Sequence, residues 1–344
     1  MSEIHIKTLK NRSFQIQEMP SIPGLVLRFF RGKADYPYIK EVFDRCKNVD
    51  GYKHSLSEEE IANHFNHLHN CDPFKDMIFI EINKKVIGYS RVMWYKENTG
   101  DIIYPSLGFI DPEWRRKGIG SIILKYNEQR LREIARNHPP ESHKYFQNDV
   151  IDEQPGRVAL LNGMGYKPIR YEYGMVRPID APLPNAPMPK GLETRPATPD
   201  QYRQIFEASN EAFRDHWGFR EMTEEDYQRE IASNTFQPQL WKVAWDGKQV
   251  AGMVLNFINK DENIEYKRQR GYTEGISVRR PWRRRGLARS LLVQSIQMFK
   301  EMGMEETALG VDTQNPSGAL RLYEDVGYTV VHTETIYRKP FKST

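Results

Sequence analysis

The sequence predicts two domains of one α/β (α+β) fold, joined by a short linker. A pattern of strand, basic turn and helix occurs twice: Arg115 and Gly118 mark the first turn, and Arg283 and Gly286 follow 168 residues later. A proline-rich stretch lies between the two copies. A chain of 344 residues is also long for a single hydrophobic core. A repeat with a linker in its middle therefore indicates tandem domains.

The second copy of the pattern has the features of an anion site. The segment Ile276–Val278 is short and apolar, as at the end of a strand, and Pro281 and Gly286 predict a turn after it. Apolar residues then recur at helical spacing, namely Ala288, Leu292, Ile296 and Phe299. Because the first N–H groups of a helix lack acceptors and the helix dipole is positive there, this turn predicts a phosphate site.

The first copy repeats this order. Residues 107–110 predict a strand end, residues 111–118 a basic turn, and Ile119 begins an amphipathic helix. Residues 178–191 contain a proline every few positions and no periodicity, which is typical of a stiff extended linker. We therefore expect an N-terminal domain at 1–177, a linker at 178–191 and a C-terminal domain at 192–344.

The remaining elements also match between the halves. In the first half we expect a strand at 25–30, a helix at 36–46 and a hairpin formed by 77–82 and 86–90. The second half gives, in the same order, a strand at 192–195, a helix at 199–213 and a hairpin formed by 241–245 and 250–254. Asp246-Gly247 is a strong turn signal for the second hairpin.

Composition limits the class of protein. Apolar residues make up 39% of the chain and aromatic residues 12%, which predicts packed globular domains. The formal charge of +4 is small for this length, so nucleic acid is not an expected partner. With no apolar run of membrane-spanning length and only Cys46 and Cys71, we expect a cytoplasmic protein without disulfides or membrane contact. The histidines at 64–69 lack a second pair of ligands, so no metal site is predicted.

The sequence motif Arg283-x-x-Gly286-x-Ala288 resembles the acyl-CoA pyrophosphate loop of the GNAT superfamily of N-acetyltransferases. A Gly-Tyr pair after each turn, at Gly165 and again at Gly327, extends the resemblance over both halves. It implies two tandem GNAT folds, each a mixed, mostly antiparallel twisted sheet flanked by helices, with a V-shaped acyl-CoA cleft. The tandem arrangement is similar to that of the mycothiol synthases. The implied activity is acyl transfer from acetyl-CoA to a small-molecule amine.

Direct attack by an amine requires a base, an oxyanion donor and an acid for the leaving thiolate. The resemblance places a base at Glu274 and an acid at Tyr323. It implies that Asn315 and the backbone of three strand residues bind the thioester and the pantetheine arm, and that His216 and Trp217 line the acceptor pocket. The strand residues are Ile276, Ser277 and Val278, and the residues implied at the phosphates are Arg283, Arg284, Arg285, Gly286, Leu287, Ala288 and Arg289.

The N-terminal half lacks this acid–base pair. The positions equivalent to Glu274, Tyr323 and Asn315 hold Ser106, Leu161 and Glu153, although a neighbour such as Asn148 could compensate. We therefore expect a degenerate, catalytically silent N-terminal domain. The sequence leaves open whether its turn still holds coenzyme A, through Arg115, Gly118 and Gly120.

Two other functions stay open at this stage. One is a non-catalytic acyl-CoA sensor, and the other is a tandem acyltransferase that uses a different acyl donor, such as an aminoacyl-tRNA. The five arginines between Arg279 and Arg285 are the only support for the second. The sequence does not identify the acceptor amine, and it is compatible with a monomer or a homodimer.

Overall fold

The structure, a computed structural model, describes residues 6–8, 13–16 and 18–341. The chain divides into a first unit, Met1–Ile169 with Thr335–Thr344, and a second unit, Arg170–Glu334. These units differ from the expected boundaries at 177/178 and 191/192. The strand that follows the first half belongs largely to the second unit, and the end of the last strand belongs to the first unit.

The first unit alternates strands and helices in the order that the sequence predicts. Its elements are β1 (Ile6–Thr8), β2 (Ser13–Ile16), β3 (Leu25–Phe29), α1 (Tyr36–Lys47), α2 (Glu58–Asn66), α3 (Pro73–Asp76), β4 (Met77–Ile82), β5 (Lys85–Val92), β6 (Tyr95–Lys96), β7 (Ile102–Ile110), α4 (Ile119–Ala135), β8 (Lys144–Ile151) and α5 (Pro155–Gly163).

The sheet of the first unit runs in the order β1-β2-β3-β4-β5-β7-β8. Its neighbouring strands are antiparallel except β7 and β8, which are parallel and pair from Ile102↔Lys144 to Pro105↔Gln147. The pairing stops there although both strands continue. The end of the last strand of the chain completes this unit, because Tyr337 packs in its core and Lys339 binds Glu128 at 2.7 Å.

The second unit repeats the same elements. They are β9 (Lys167–Pro178), β10 (Glu193–Arg195), α6 (Tyr202–Phe213), α7 (Glu224–Ile231), β11 (Lys242–Asp246), β12 (Gln249–Phe257), α8 (Lys260–Glu265), β13 (Arg270–Val278), α9 (Leu287–Glu301), β14 (Glu306–Asp312), α10 (Ala319–Val326) and β15 (Thr329–Pro340). Both predicted hairpins, β4–β5 and β11–β12, are present.

The sheet of the second unit runs β9-β14-β13-β12-β11-β10. The parallel pair here is β13–β14, paired from Arg270↔Glu306 to Tyr272↔Ala308, and the other neighbours are antiparallel. Each unit therefore has one pair of parallel strands that separates beyond a few residues. This confirms the predicted fold class of mixed, mostly antiparallel sheets with flanking helices.

Helices cover the two faces of the second sheet. Leu287 and Leu291 of α9 pack on one face with Val254, while Ile205 and Phe206 of α6 pack on the other with Trp241, Val243 and Met253. Burying each large apolar side chain stabilises the fold by about 1.5–3 kcal/mol. Among the described residues, no helix is both long and apolar enough to cross a membrane.

The proline-rich linker starts against a buried arginine. Arg177 is fully buried, and its Nε donates to the carbonyl of Val326 at 2.8 Å. Its other nitrogens donate to the carbonyls of Pro178, Ile179, Ala181 and Pro182. Burial lowers the pKa of this guanidinium. The arginine thus fixes the linker through backbone carbonyls, which explains how a segment without secondary structure has a defined path.

Candidate active site

A cavity of about 1260 Å³ lies in the second unit at the point where β13 and β14 separate. Just before this point the hydroxyl of Tyr328 lies 2.9 Å from Thr273 Oγ1 on β13 and 2.9 Å from Thr307 Oγ1 on β14. Immediately beyond it, Glu274 Oε1 accepts the backbone N–H of Gly310 at 3.0 Å. Tyr328, from the second Gly-Tyr pair of the sequence, therefore links β13 and β14 where the cavity begins.

The pKa of the Glu274 carboxyl lies in the range that suits a general base at neutral pH. Burial raises its pKa to about 7, the N–H of Gly310 opposes this, and the charge of Glu172 adds to it. A general base is most effective when its pKa lies near the working pH. Glu274 and Glu172 both line the cavity.

A β-bulge determines where Glu274 points. In the β12–β13 pair, Met253 opposes Ser277 and Leu255 opposes Glu274, so two residues of β13 face one residue of β12. Gly275 lies in this bulge with φ +58, a conformation that residues with a Cβ rarely adopt. Met253 and Leu255 are two residues apart, so Glu274 and Ser277 lie on the same face of the sheet, the face covered by α6.

Tyr323 of α10 lines the same cavity and is 5% exposed. Burial raises the pKa of its hydroxyl, and the charges of Glu274 and Tyr328 act in the same direction. The hydroxyl is therefore protonated at neutral pH, as an acid must be before it donates. The cavity thus contains both Glu274 and Tyr323, the acid–base pair that the family resemblance implies.

The basic turn presents a series of free backbone donors. Among the described residues, the N–H groups of 284–289 have no acceptor, and the first helical bond runs from Ser290 N to Gly286 O at 3.0 Å. Arg284 and Gly286 both have positive φ, at 62 and 83. Alternation of this kind turns successive N–H groups toward one side, which forms a concave anion site in front of α9. A Cβ at Gly286 would have no heavy atom within 4 Å, so the turn is open.

The Arg283 side chain contacts protein atoms with all three of its nitrogens. Its Nε donates to Val278 O at 2.9 Å, its Nη1 to Asp215 Oδ2 at 2.7 Å and its Nη2 to Ala212 O at 2.9 Å. Arg280 also binds Asp215, and the two arginines hold the pKa of Asp215 well below its usual range. These contacts tie the turn to the end of α6, and the direct pyrophosphate contact expected of Arg283 stays a prediction.

The other expected phosphate residues fall into two groups. Arg285 donates to Lys190 O and Arg289 binds Asp325 at 2.8 Å, both on the surface. Arg284 has no partner among the residues that the structure describes. Asn315 lines the cavity, and its Oδ1 accepts the N–H of Ser317 at 2.9 Å, which leaves its amide nitrogen for a ligand.

Aromatic residues at and after the end of α6, namely Phe213, His216 and Trp217, also line the cavity. The His216 ring meets the Phe213 ring edge-on at 4.6 Å, and burial lowers the pKa of His216, so it is neutral at pH 7. Trp217 is 36% exposed and lies 5.3 Å from the guanidinium of Arg170. Within the described residues, no group of three or more His, Cys, Asp or Glu side chains could hold a metal ion.

The first unit has its own cleft, of about 760 Å³, beside its basic turn. The turn has the same backbone form, with Arg116 at φ 61 and Gly118 at φ 83, although Pro20 lies 3.2 Å from the position of a Cβ at Gly118. The N–H groups of 116–121 have no acceptor among the described residues. Gly120, the second residue of α4, is one of the residues with such an N–H group.

Three differences separate this cleft from that of the second unit. By sequence offset Ser106 and Leu161 correspond to Glu274 and Tyr323, but the strand register puts Leu107 at the position of Glu274, and Leu161 is buried in the core. The β5–β7 pair runs without a bulge from Gly88↔Ile110 to Val92↔Ser106. Phe109, the counterpart of Ser277, packs against several aromatic rings on the α1 face, namely Phe43, Tyr52 and Tyr89.

The arginine contact is conserved between the two units in its geometry. Arg115 donates through Nε to Ile110 O at 2.8 Å and through Nη1 and Nη2 to Asp50 at 2.6 and 2.9 Å. Asp50 and Asp215 follow the first long helix of their respective units. Sequence reasoning missed both aspartates. The available signal was one aspartate shortly after each of these helices.

Comparison with known proteins identifies the class to which this fold and cleft belong. The model of the acetyltransferase (GNAT) family matches residues 37–149 and again residues 202–328. These regions make up more than half of the chain, and each contains a strand, basic turn and helix of the repeat. The protein is an acyltransferase with two tandem domains of this fold, and the chain belongs to the GNAT family.

Individual relatives agree with this assignment. A mycothiol acetyltransferase of Propionibacterium freudenreichii is 27% identical over 255 residues, which are 74% of each chain, and one of Geodermatophilus obscurus is 25% identical over 270 residues. A GCN5-related N-acetyltransferase from Sphaerobacter thermophilus superposes with a TM-score of 0.70 at 25% identity, over 93% of this chain and 96% of that one. A tandem GNAT protein from the clavulanic acid biosynthesis pathway has the same fold, with a TM-score of 0.65 at 14% identity.

Proposed function

We propose that the second unit transfers an acetyl group from acetyl-CoA to a primary amine of a small molecule. The observation that carries this proposal is Glu274, a carboxyl with a pKa of about 7 at the separation of β13 and β14. Its cavity also contains Tyr323 and the donor-rich turn. The relatives that are mycothiol acetyltransferases support a small-molecule acceptor.

The co-substrate would be held mainly by the backbone. The free N–H groups of 284–289 suit the two pyrophosphate charges, and the unpartnered guanidinium of Arg284 suits a further phosphate. The amide nitrogen of Asn315 and the strand backbone at Ile276–Val278 would hold the pantetheine arm and polarise the thioester carbonyl. The bulge at Gly275 supports this role, because it interrupts the ladder to β12 at that point.

The proton transfers follow from the two pKa shifts. An amine with a lysine-like pKa of about 10.4 is protonated at pH 7, so its nitrogen must lose a proton before it attacks. Glu274 first passes that proton to solvent and then takes the remaining extra proton of the nitrogen as the nitrogen bonds to the carbonyl carbon, and the carbon–sulfur bond breaks. Tyr323, protonated in its buried site, gives its proton to the thiolate of coenzyme A.

The acceptor would enter along the aromatic wall formed by Phe213, His216 and Trp217. His216 is neutral, so it adds no positive charge against an incoming ammonium group. Glu172 and Glu274 make this end of the cavity attractive to a cation. The first unit, with Ser106 and Leu161 at the positions that correspond by sequence offset, would be catalytically silent and would bind coenzyme A at most through its turn.

The test is a thiol-release assay with acetyl-CoA and a panel of small amines. Glu274→Gln and Tyr323→Phe should each lower kcat about 100-fold or more, since each removes one proton transfer. Glu153→Gln is the matched control, because it removes a carboxylate from the cleft of the first unit and should leave kcat unchanged.

Other outcomes would point to the alternatives. Tight binding of coenzyme A without turnover of any amine would indicate an acyl-CoA sensor. Acyl transfer from an aminoacyl-tRNA, with none from acetyl-CoA, would indicate a different acyl donor. Turnover that survives Glu274→Gln but is lost in Glu153→Gln would place the chemistry in the first unit.

A further inference from the structure

Ser277 has a polar atom that the fold itself does not use. The side chain lines the cavity and is 8% exposed, and its Oγ has no hydrogen-bond partner among the described residues. Buried hydroxyl groups in native structures nearly always have a partner. The Cα–Cβ bond gives Oγ three staggered positions, and a ligand in the cavity that this side chain lines could provide the partner.

The bulge brings this hydroxyl into line with the proposed base. Ser277 and Glu274 oppose Met253 and Leu255, which are two residues apart on β12, so the two side chains leave the same face about 7 Å from each other. A nitrogen atom midway between them would lie within hydrogen-bond reach of both. In the first unit, where no bulge occurs, Ser106 and Phe109 lie on opposite faces.

We propose that Ser277 is a positioning residue for the attacking amine and that it restricts the acceptor to primary amines. This inference rests on the proposed function. A neutral primary amine has two N–H groups and one lone pair. With one N–H bound to Glu274 and the other to Ser277 Oγ, the lone pair points toward the thioester carbonyl. The nitrogen then bonds to the carbonyl carbon, its extra proton passes to Glu274, and sulfur leaves with the proton of Tyr323.

A secondary amine cannot satisfy this arrangement. It has one N–H before attack, so either Glu274 or Ser277 loses its contact, and its second carbon substituent would occupy the position between them. The comparison within the chain agrees with an acceptor site here. The first unit fills the same place on the sheet with the Phe109 ring, packed against Phe43 and Tyr89.

The experiment compares a primary amine with its N-methyl derivative in the full-length chain. We expect wild type to prefer the primary amine in kcat/KM by roughly tenfold or more, the worth of one hydrogen bond to a positioned group. Ser277→Ala should bring this ratio close to one and raise KM for the amine, while KM for acetyl-CoA stays within about twofold, since only a side chain on the acceptor side changes. Ser277→Thr, which keeps the hydroxyl, should restore the preference.

Ser106→Ala is the matched control, because it removes a hydroxyl from the cleft of the first unit and should leave the ratio at the wild-type value. An unchanged ratio in Ser277→Ala, or a wild-type enzyme without preference, would overturn this inference. If the ratio is unchanged in Ser277→Ala but activity is lost in Glu274→Gln, the proposed function stands and only the role of Ser277 is rejected. Absence of turnover on every amine in wild type would overturn both.

Discussion

The carboxylate of Asp215 lies 2.7 Å from Nη1 of Arg283, and in the first unit the carboxylate of Asp50 lies 2.6 Å from Nη1 of Arg115. Each arginine also binds the carbonyl at the end of the preceding strand. The contact therefore fixes the basic turn relative to the sheet and to the helix before it. Its recurrence in both units indicates that it maintains the shape of the turn.

Breaking this contact should change the kinetics only in the second unit, for which we propose the activity. Asp215→Ala leaves Arg283 without its carboxylate, so the turn loses its fixed position and KM for acetyl-CoA should rise roughly tenfold. Asp50→Ala, the matched change in the first unit, should lower the thermal midpoint without changing KM. Steady-state kinetics and thermal unfolding check both. An equal rise of KM in the two variants would contradict a single working turn.

The bulge at Gly275 can be tested with a glycine of the same backbone conformation. Gly275 and Gly247 both have φ +58, so an alanine at either position should cost about 1 kcal/mol of stability. A Cβ at Gly275 would also meet Leu255 at 3.0 Å, whereas Gly247 has nothing within 4 Å. We expect Gly275→Ala to lower kcat at least tenfold, since Glu274 moves, and Gly247→Ala to leave kcat unchanged. Similar kcat values in the two variants would argue against a catalytic role for the bulge.

The pH dependence of turnover should report the ionisation of Glu274. Its pKa of about 7 means that it loses its basic form below neutral pH, so kcat should fall about tenfold per pH unit there. Glu172→Gln removes a nearby negative charge that raises this pKa, so the midpoint should move to lower pH. The measurement is kcat against pH at saturating amine. A midpoint that moves upward in Glu172→Gln would refute this electrostatic account.

Arg177 should contribute strongly to the stability of the second unit. Arg177→Met leaves the buried carbonyls of Val326 and of the linker without a donor, and we expect a loss of about 3 kcal/mol in the free energy of unfolding. Arg214→Met, which removes an exposed pair with Glu221, should cost less than about 1 kcal/mol. Urea unfolding followed by tryptophan fluorescence checks both. An equal loss of unfolding free energy in the two variants would mean that the buried hydrogen bonds of Arg177 do not stabilise the fold more than an exposed ion pair does.

Local patterns in the sequence were sufficient to predict the repeat and the turn. The turn at Gly286, the apolar spacing along α9 and the Asp246-Gly247 hairpin depend on residues that are close together in the chain, so local sequence patterns predict them. Glu274 and Tyr323 were expected from the family resemblance, and the structure brings both to one cavity. Their catalytic roles remain predictions.

Tertiary structure decided the features that depend on residues far apart in sequence. In the bulge, two residues of β13 face one residue of β12, whereas β5 and β7 pair one to one. The bulge decides which face of the sheet Glu274 occupies. The contacts of Arg283 with Asp215 and Ala212 likewise join segments about 70 residues apart in sequence. The sequence by itself thus determined the tandem repeat and the positions of its turns. The fold decided which side chains face the cavity, because strand pairing and helix packing bring distant residues together.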